Sequence, residues 1–186
     1  MAGAVLTAAV WWFVDAGSID ALEPLRRGAP RHAARYLNRL GGGLNPAMVV
    51  GYLTVAGIVF SRRRWWLYSM AMAAAGICAG VVVQLVKVFV NRGRPELWLG
   101  PNLFTESTSS SFPSGHAVGA FAMAGVLMFG SSSRITRLAA LIVPVAIGLS
   151  RVVVFRHWPS DVVASAIIGL AFAWVFTRAL FDVEQD

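Results

Sequence analysis

From Trp65 to Val90 the chain carries one charged side chain, Lys87, and one amide, Gln84, in a run of otherwise apolar, aromatic or small residues. A helix needs roughly 20 consecutive apolar residues to cross a hydrocarbon core, so this stretch is long enough to span a bilayer with some tilt. In lipid every backbone N–H and C=O must be satisfied within the chain, which leaves helices and closed barrels as the only spanning structures. Another apolar run precedes this stretch at Asn45–Phe60, and others follow at Gly115–Gly130, Leu138–Phe155 and Asp161–Phe181. Met1–Val14 is apolar too but shorter than a full span. It is read as a short first transmembrane helix, because no basic residue precedes it and Trp11-Trp12-Phe13 stands where a signal peptide would need small residues. The expectation is an all-α polytopic membrane bundle with about six transmembrane helices, in one membrane-embedded domain over residues 1–186.

Composition supports this class and narrows the partners. Hydrophobic residues make up 57% of the chain and charged ones 13%, far too apolar for an ordinary soluble domain. The net charge of +7 sits in loops and at the ends of apolar runs. The basic balance therefore points to lipid head groups of the bilayer or a phosphorylated lipid substrate, and away from nucleic acid. Cys78, the sole cysteine, lies within an apolar run and is read as an inert packing residue.

Between Asp15 and Leu44 acidic and basic residues alternate with Leu, Ile and Tyr, and Pro24 and Pro30 interrupt the segment. Interfacial helices are expected there, with Leu22, Leu25, Tyr36, Leu37 and Leu40 towards lipid and Arg26, Arg27, Arg31, Arg35 and Arg39 towards head groups, ending at Gly41-Gly42-Gly43. His32 is read as a solvated interfacial residue. The basic turn Arg62-Arg63-Arg64, with Trp65, Trp66 and Tyr68 beside it, is what the positive-inside rule places in the cytoplasm. Counting alternation from that turn, loops 91–114 and 151–160 share the outer face, so their polar residues can meet. The arginines from 26 to 39 land outside as well, against the charge rule.

Three polar clusters lie at run ends on that face. The first holds Lys87 and then Asn91-Arg92-Gly93-Arg94-Pro95. Lys87 could snorkel, or with Arg94 it could clamp phosphoryl oxygens as a point charge beside a planar fork. The second, Phe112-Pro113-Ser114-Gly115-His116, puts backbone N–H groups and a hydroxyl at a positive helix end, an anion-binding arrangement. Standing alone, His116 would be read as an interfacial residue with a structural bond. The third runs from Ser150-Arg151 through Arg156-His157-Trp158-Pro159 to Asp161. With a helix starting near Trp158, Asp161 falls about one turn beyond His157, a spacing suited to a carboxylate holding an imidazole. A juxtamembrane loop with incidental charges is the bland alternative for that stretch.

Taken together the clusters supply cations, helix-end donors, two histidines and a carboxylate, the inventory for phosphoryl transfer through a histidine nucleophile. The chain resembles the type 2 phosphatidic acid phosphatase superfamily, whose signature reads Lys-x6-Arg-Pro, Pro-Ser-Gly-His and Ser-Arg-x5-His-x3-Asp. Here these are Lys87 to Arg94-Pro95, Pro113 to His116, and Ser150-Arg151 to His157 to Asp161. Soluble vanadate-binding haloperoxidases share that signature, and the hydropathy argues against their branch.

The resemblance implies catalysis without a metal or other cofactor. His157 would be the nucleophile, oriented by Asp161, and His116 the acid and base. Lys87, Arg94, Ser114, Gly115 and Arg151 would bind the phosphate. Arg92 and Arg156, outside the signature, are read either as ordinary surface charges or as contacts to a second phosphate. The expected enzyme is a lipid phosphatase at the outer face of a bacterial-type inner membrane. Phosphatidylglycerophosphate, phosphatidic acid, undecaprenyl diphosphate and lipid A 1-phosphate are all candidate substrates. The competing readings are a non-catalytic phospholipid-binding or transport protein, and a metal hydrolase, which the isolation of His32 disfavours.

Overall fold

The computed structural model describes residues 14–18, 20–26, 28–43, 54–56, 58–60, 62–95 and 110–181. Among these the regular structure is helical: a 3₁₀ turn at Glu23–Arg26, α1 at Gly28–Gly43, α2 at Arg63–Val90, α3 at Gly115–Gly130, α4 at Arg134–Val153 and α5 at Pro159–Phe181. The all-helical expectation holds. Three of these helices, α2 with 28 residues, α4 with 20 and α5 with 23, are long and apolar enough to cross a membrane. The protein is an integral membrane protein. Residues 1–13 and most of Asn45–Phe60 lie outside the described residues, and the 16-residue α3 is apolar but shorter than a full span, so three of the six expected spans are found among the described residues.

Two boundaries differ from the sequence expectation for local reasons. Helix α2 takes Arg63 and Arg64 into its first turn, so only Arg62 of the basic turn stays outside it. Helix α4 starts at Arg134, about a turn ahead of Leu138, because Ser133 caps it by accepting the Thr136 N–H at 3.3 Å. In α1, Pro30 sits in the first turn, where a missing N–H costs little, and opens the helix where a break was expected. That helix buries Ala34 and leaves Tyr36 exposed.

Helix α3 is the hub, packed against α2, α4 and α5, while α1 lies against α4. Lipid offers no hydrophobic drive for helices to associate, so small residues that let backbones approach must supply the contact. Helix α5 buries Ser165, Gly169, Ala173 and Thr177, one residue per turn, and α2 buries Ala71, Ala75 and Ala79 in the same rhythm. Gly169 shows how close this is: a Cβ there would lie 2.7 Å from the Val118 carbonyl oxygen and 2.9 Å from the Ala122 nitrogen, both backbone atoms. The outward faces of α2 and α4 carry Ile77, Val81, Leu85, Ile142 and Leu149, exposed and at helical spacing, as a lipid-facing surface requires. With this connectivity the C-termini of α2 and α4 and the N-termini of α3 and α5 meet at one end of the bundle, where all three polar clusters lie.

Candidate active site

Helix α2 ends on Asn91, whose left-handed φ of 40° closes a cap with its N–H on the Lys87 carbonyl at 3.1 Å. Asparagine tolerates that conformation better than most residues. The chain leaving the cap is stitched down at once. The Ser111 N–H donates to the Arg92 carbonyl at 2.8 Å, the Arg92 N–H to Ser110 Oγ at 3.0 Å, and Trp158 Nε1 to the Gly93 carbonyl at 2.9 Å. These bonds bring the three clusters to one place and bury Arg94 beside them.

Helix α3 starts with Ser114 as its cap residue, yet the Ser114 hydroxyl makes no capping bond, and the first turn holds no acidic residue. Ser114 Oγ is buried and has no hydrogen-bond partner among the described residues. The first intrahelical bond runs from the Val118 N–H to the Ser114 carbonyl, so the N–H groups of Gly115, His116 and Ala117 have no acceptor within the helix. One detail departs from the sequence reading. The Ser114 N–H is already committed to Ser165 Oγ at 2.8 Å, and Ser165 Oγ in turn donates to the Asp161 carbonyl at 2.5 Å. This relay locks the start of α3 onto the first turns of α5. Gly115 and His116 are exposed, and His116 lies within electrostatic range of Arg151, His157, Lys87 and Arg94.

Between α4 and α5 the chain turns sharply. The N–H groups of Arg156 and His157 both donate to the Arg151 carbonyl, at 3.1 and 3.3 Å. Phe155 takes φ 58°, a region a bulky side chain rarely adopts, and it is buried there. Arg94 donates from Nη1 towards the Arg156 carbonyl at 3.4 Å, bracing the turn from the other side. The outcome is a His157 ring only 2% exposed. Its Nδ1 lies 2.7 Å from the Ser111 carbonyl oxygen, and a carbonyl can only accept, so Nδ1 carries the proton. Nε2 makes no hydrogen bond among the described residues. Burial pushes His157 below the ordinary imidazole pKa; the neighbouring Asp161 carboxylate opposes this fall and Arg151 adds to it.

Asp161 stands one turn beyond His157, as the spacing predicts, with Oδ2 3.5 Å from Nδ1. That is too long for a hydrogen bond, and the reason is visible in what the carboxylate already accepts. Its Oδ2 takes the Ser111 hydroxyl and the Trp158 N–H at 2.9 Å, and Oδ1 takes Arg92 Nη1 at 2.8 Å. The bond to Trp158 is half of a capping box, in which a residue in the first turn reaches back to the N–H just before the helix. Asp161 therefore frames His157 indirectly. It holds the Ser111 side chain, and the Ser111 backbone holds the imidazole.

The structure also reveals residues the sequence reading missed. Arg92 is neither a free surface charge nor placed for a second phosphate, since it forms ion pairs with Asp161 at 2.8 Å and Asp15 at 2.5 Å. Asp15 lies 77 residues away in the chain and only 3% of its side chain is exposed. Sequence spacing gives no signal for such a contact, and Ser111 acts partly through its backbone, which leaves no mark in the sequence. Among the described residues no group of three or more His, Cys, Asp or Glu side chains is placed to hold a metal ion.

A family model described as the PAP2 superfamily matches residues 64–185, which cover all three clusters. The chain belongs to that superfamily. It is 36% identical over 124 residues to a lipid A 1-phosphatase of Rhizobium johnstonii, covering 59% of this chain and 49% of that protein. It is 35% identical over 109 residues to a decaprenylphosphoryl-5-phosphoribose phosphatase of Mycobacterium tuberculosis, covering 58% and 57%. The chain thus spans about half the length of these curated relatives. Its fold matches a transmembrane PAP2 type phosphatidylglycerolphosphate phosphatase from Bacillus subtilis with a TM-score of 0.77, 24% identity, and coverage of 100% of this chain and 92% of that one. Aquifex aeolicus LpxE matches with a TM-score of 0.69 at 24% identity, over 86% and 94%.

Proposed function

We propose that this protein is a membrane phosphatase that hydrolyses a lipid phosphomonoester or a polyprenyl diphosphate through a phosphohistidine on His157. The observation that carries the reading is the state of that ring: buried, protonated on Nδ1 by its bond to the Ser111 carbonyl, and with Nε2 unengaged. Depression of its pKa keeps the ring neutral near pH 7, which a nucleophile requires. An anion-binding protein needs cations and N–H donors but no nucleophile held in one tautomer.

In the proposed reaction Lys87, Arg94 and Arg151 neutralise the phosphate, with the Ser114 hydroxyl and the first N–H groups of α3, Gly115 included, closing round its oxygens. His157 Nε2 attacks phosphorus as the bond to the lipid oxygen breaks. His116, whose imidazolium the phosphate charge favours, protonates that leaving oxygen. The neutral His116 then takes a proton from water, the water oxygen attacks phosphorus, and the P–N bond breaks to release inorganic phosphate and restore His157. Asp161 and Ser111 hold the ring throughout and temper the positive charge on it. No step calls on a metal or other cofactor.

The named activities of the relatives, on lipid A, a decaprenyl-linked phosphate and, in an archaeal relative, undecaprenyl diphosphate, support a substrate whose tail stays in the bilayer. Phosphatidic acid and phosphatidylglycerophosphate complete the candidate set. The site is assigned to the outer face of a bacterial inner membrane by alternation from the basic turn at 62–64. The bonds from Asp15 to Arg92 and Ser160 support one phosphatase domain that includes the segment ahead of α1.

The deciding experiment assays purified protein in chelator against these lipids, with labelled enzyme trapped in alkali, where a phosphohistidine survives, and the label then released by acid, which hydrolyses its P–N bond. Wild type should release phosphate and trap label on histidine, and His157→Ala should lose about 10⁴-fold or more in kcat. Undiminished turnover by His157→Ala would remove the nucleophile assigned here.

A further inference from the structure

The bonds of Asp15 have no place in the chemistry just described, although this carboxylate is buried at the back of the site. It lies in the helical turn at residues 14–18, whose Ser18 hydroxyl donates to the Asp15 carbonyl at 2.6 Å. Its Oδ1 accepts the Ser160 N–H at 3.1 Å. Its Oδ2 accepts the Ser160 hydroxyl and Arg92 Nη2, both at 2.5 Å. Arg92 Nη1 then spans Ser160 Oγ at 2.6 Å and Asp161 Oδ1 at 2.8 Å, and its guanidinium carbon lies 5.2 Å from the centre of the Trp158 ring. The protons balance: the Ser160 hydroxyl gives its one hydrogen to Asp15 and accepts one from Arg92, and every bond to a carboxylate has its own donor.

From this geometry we infer that Asp15 is a positioning residue of the reaction, acting through Arg92 and Ser160 on Asp161 and so on His157. The inference rests on the lipid phosphatase reading. Two oxygens of Asp15 define where Ser160 and Arg92 sit. Arg92 fixes Oδ1 of Asp161, and because a carboxylate is planar this also fixes Oδ2, which holds Ser111 Oγ. The Ser111 carbonyl is the acceptor of His157 Nδ1. A guanidinium shared between two buried carboxylates is held at both ends; with one partner removed it can swing towards the other and carry the Asp161 plane with it. Ser160 is the second residue of α5, so Asp15 also satisfies one of the orphan donors of that helix start from outside the helix. A segment remote in sequence thereby sets the register of the nucleophile against the phosphate cradle.

The test uses the full chain in detergent micelles, assayed with a panel of phosphatidic acid, phosphatidylglycerophosphate, undecaprenyl diphosphate and lipid A 1-phosphate, taking whichever the wild type turns over. Asp15→Asn should lower kcat about 30-fold with KM unchanged, and slow formation of the trapped phosphoenzyme in step, because geometry at the reacting nitrogen is lost while the phosphate cradle is intact. Asp15→Glu should recover at least a third of that loss on a logarithmic scale, and the exposed Asp20→Asn should behave as wild type. If Asp15→Asn does not fold, Ser160→Ala replaces it, with a fall of about fivefold in kcat at constant KM as the expected result. A kcat within twofold of wild type, or a change confined to KM, overturns the inference while leaving the phosphatase reading intact. A wild type that releases phosphate from no lipid in the panel overturns that reading, and this inference falls with it.

Discussion

Helices α3 and α5 begin side by side at the same end of the bundle, and their first turns are built in opposite ways. The start of α5 is saturated with negative charge: Asp161 covers the Trp158 N–H from within, and Asp15 covers the Ser160 N–H from a distant segment. The start of α3 has no acidic residue and no capping bond, and the Ser114 hydroxyl is buried without a partner. Both helix ends carry the same backbone dipole, about half a positive charge. One has spent it on resident carboxylates that hold a histidine, and the other keeps it available beside Lys87, Arg94 and Arg151. In the proposed reaction that division separates the rigid nucleophile from the anion it attacks.

The strongest way to break the contrast is to spoil the saturated end. In Asp161→Asn, either orientation of the amide points an N–H at a donor: Arg92 on one side, or Ser111 Oγ and the Trp158 N–H on the other. Folding stability should fall by about 3 kcal/mol, as for a broken buried pair. Loss of ring placement should lower kcat by roughly 10³-fold, in line with removal of an orienting carboxylate elsewhere. Kinetics and thermal melts on the same preparation check both, and a kcat within tenfold of wild type would contradict the role given to this end.

The reverse manipulation gives α3 the charge that α5 already has. A Cβ on Gly115 meets nothing within 4 Å, and the residue is exposed, so a side chain fits there without repacking. Gly115→Asp should lower kcat/KM by about 10²-fold through repulsion of the phosphate, whereas the neutral isostere Gly115→Asn should cost less than about tenfold. Equal losses for the two variants would mean that shape, and not charge, governs the cradle.

A pH profile probes the other side of the comparison. His157 can attack only when neutral, so kcat/KM should rise with pH through the pKa of this ring in the free enzyme. Because burial depresses that pKa, the acid limb should lie below about 6.5, the ordinary imidazole value. An acid limb at or above that value would show the ring to be less shielded than its 2% exposure implies.

How much of this was legible beforehand differs between the two ends. Lys87, Arg94, Ser114, Gly115, His116, Arg151, His157 and Asp161 all stood out, because charge and histidine at the ends of apolar runs have few other uses and the intervals between them match a signature. The i,i+4 relation of His157 and Asp161 followed from helical spacing alone. Their coupling did not, since it passes through the Ser111 carbonyl, and any residue type carries a carbonyl. Arg92 was visible as a charge, but its partner Asp15 lay in a segment read as interfacial, where acidic residues are ordinary. The packing was half visible: Ser165, Gly169, Ala173 and Thr177 recur every four residues, yet only the folded chain shows that Gly169 faces the backbone of α3.

The smallest expected effect is also the one that separates cradle from scaffold most cleanly. Ser114 Oγ is a buried hydroxyl with no partner among the described residues. A buried polar atom left unsatisfied costs about 1–3 kcal/mol, so replacing it with a methyl group should leave stability unchanged or raise it slightly. A scaffold residue would behave in the opposite sense. The backbone N–H of Ser114, which ties α3 to Ser165, is untouched by such a change. If the hydroxyl is kept for the phosphate, Ser114→Ala should show an undiminished melting temperature together with a fall of about tenfold in kcat/KM, and inorganic phosphate or vanadate should inhibit the variant more weakly in the same proportion. A lower melting temperature with unchanged kinetics would place Ser114 with the saturated end of the bundle instead, and the opposition between the two helix starts would have to be redrawn around Gly115 and His116.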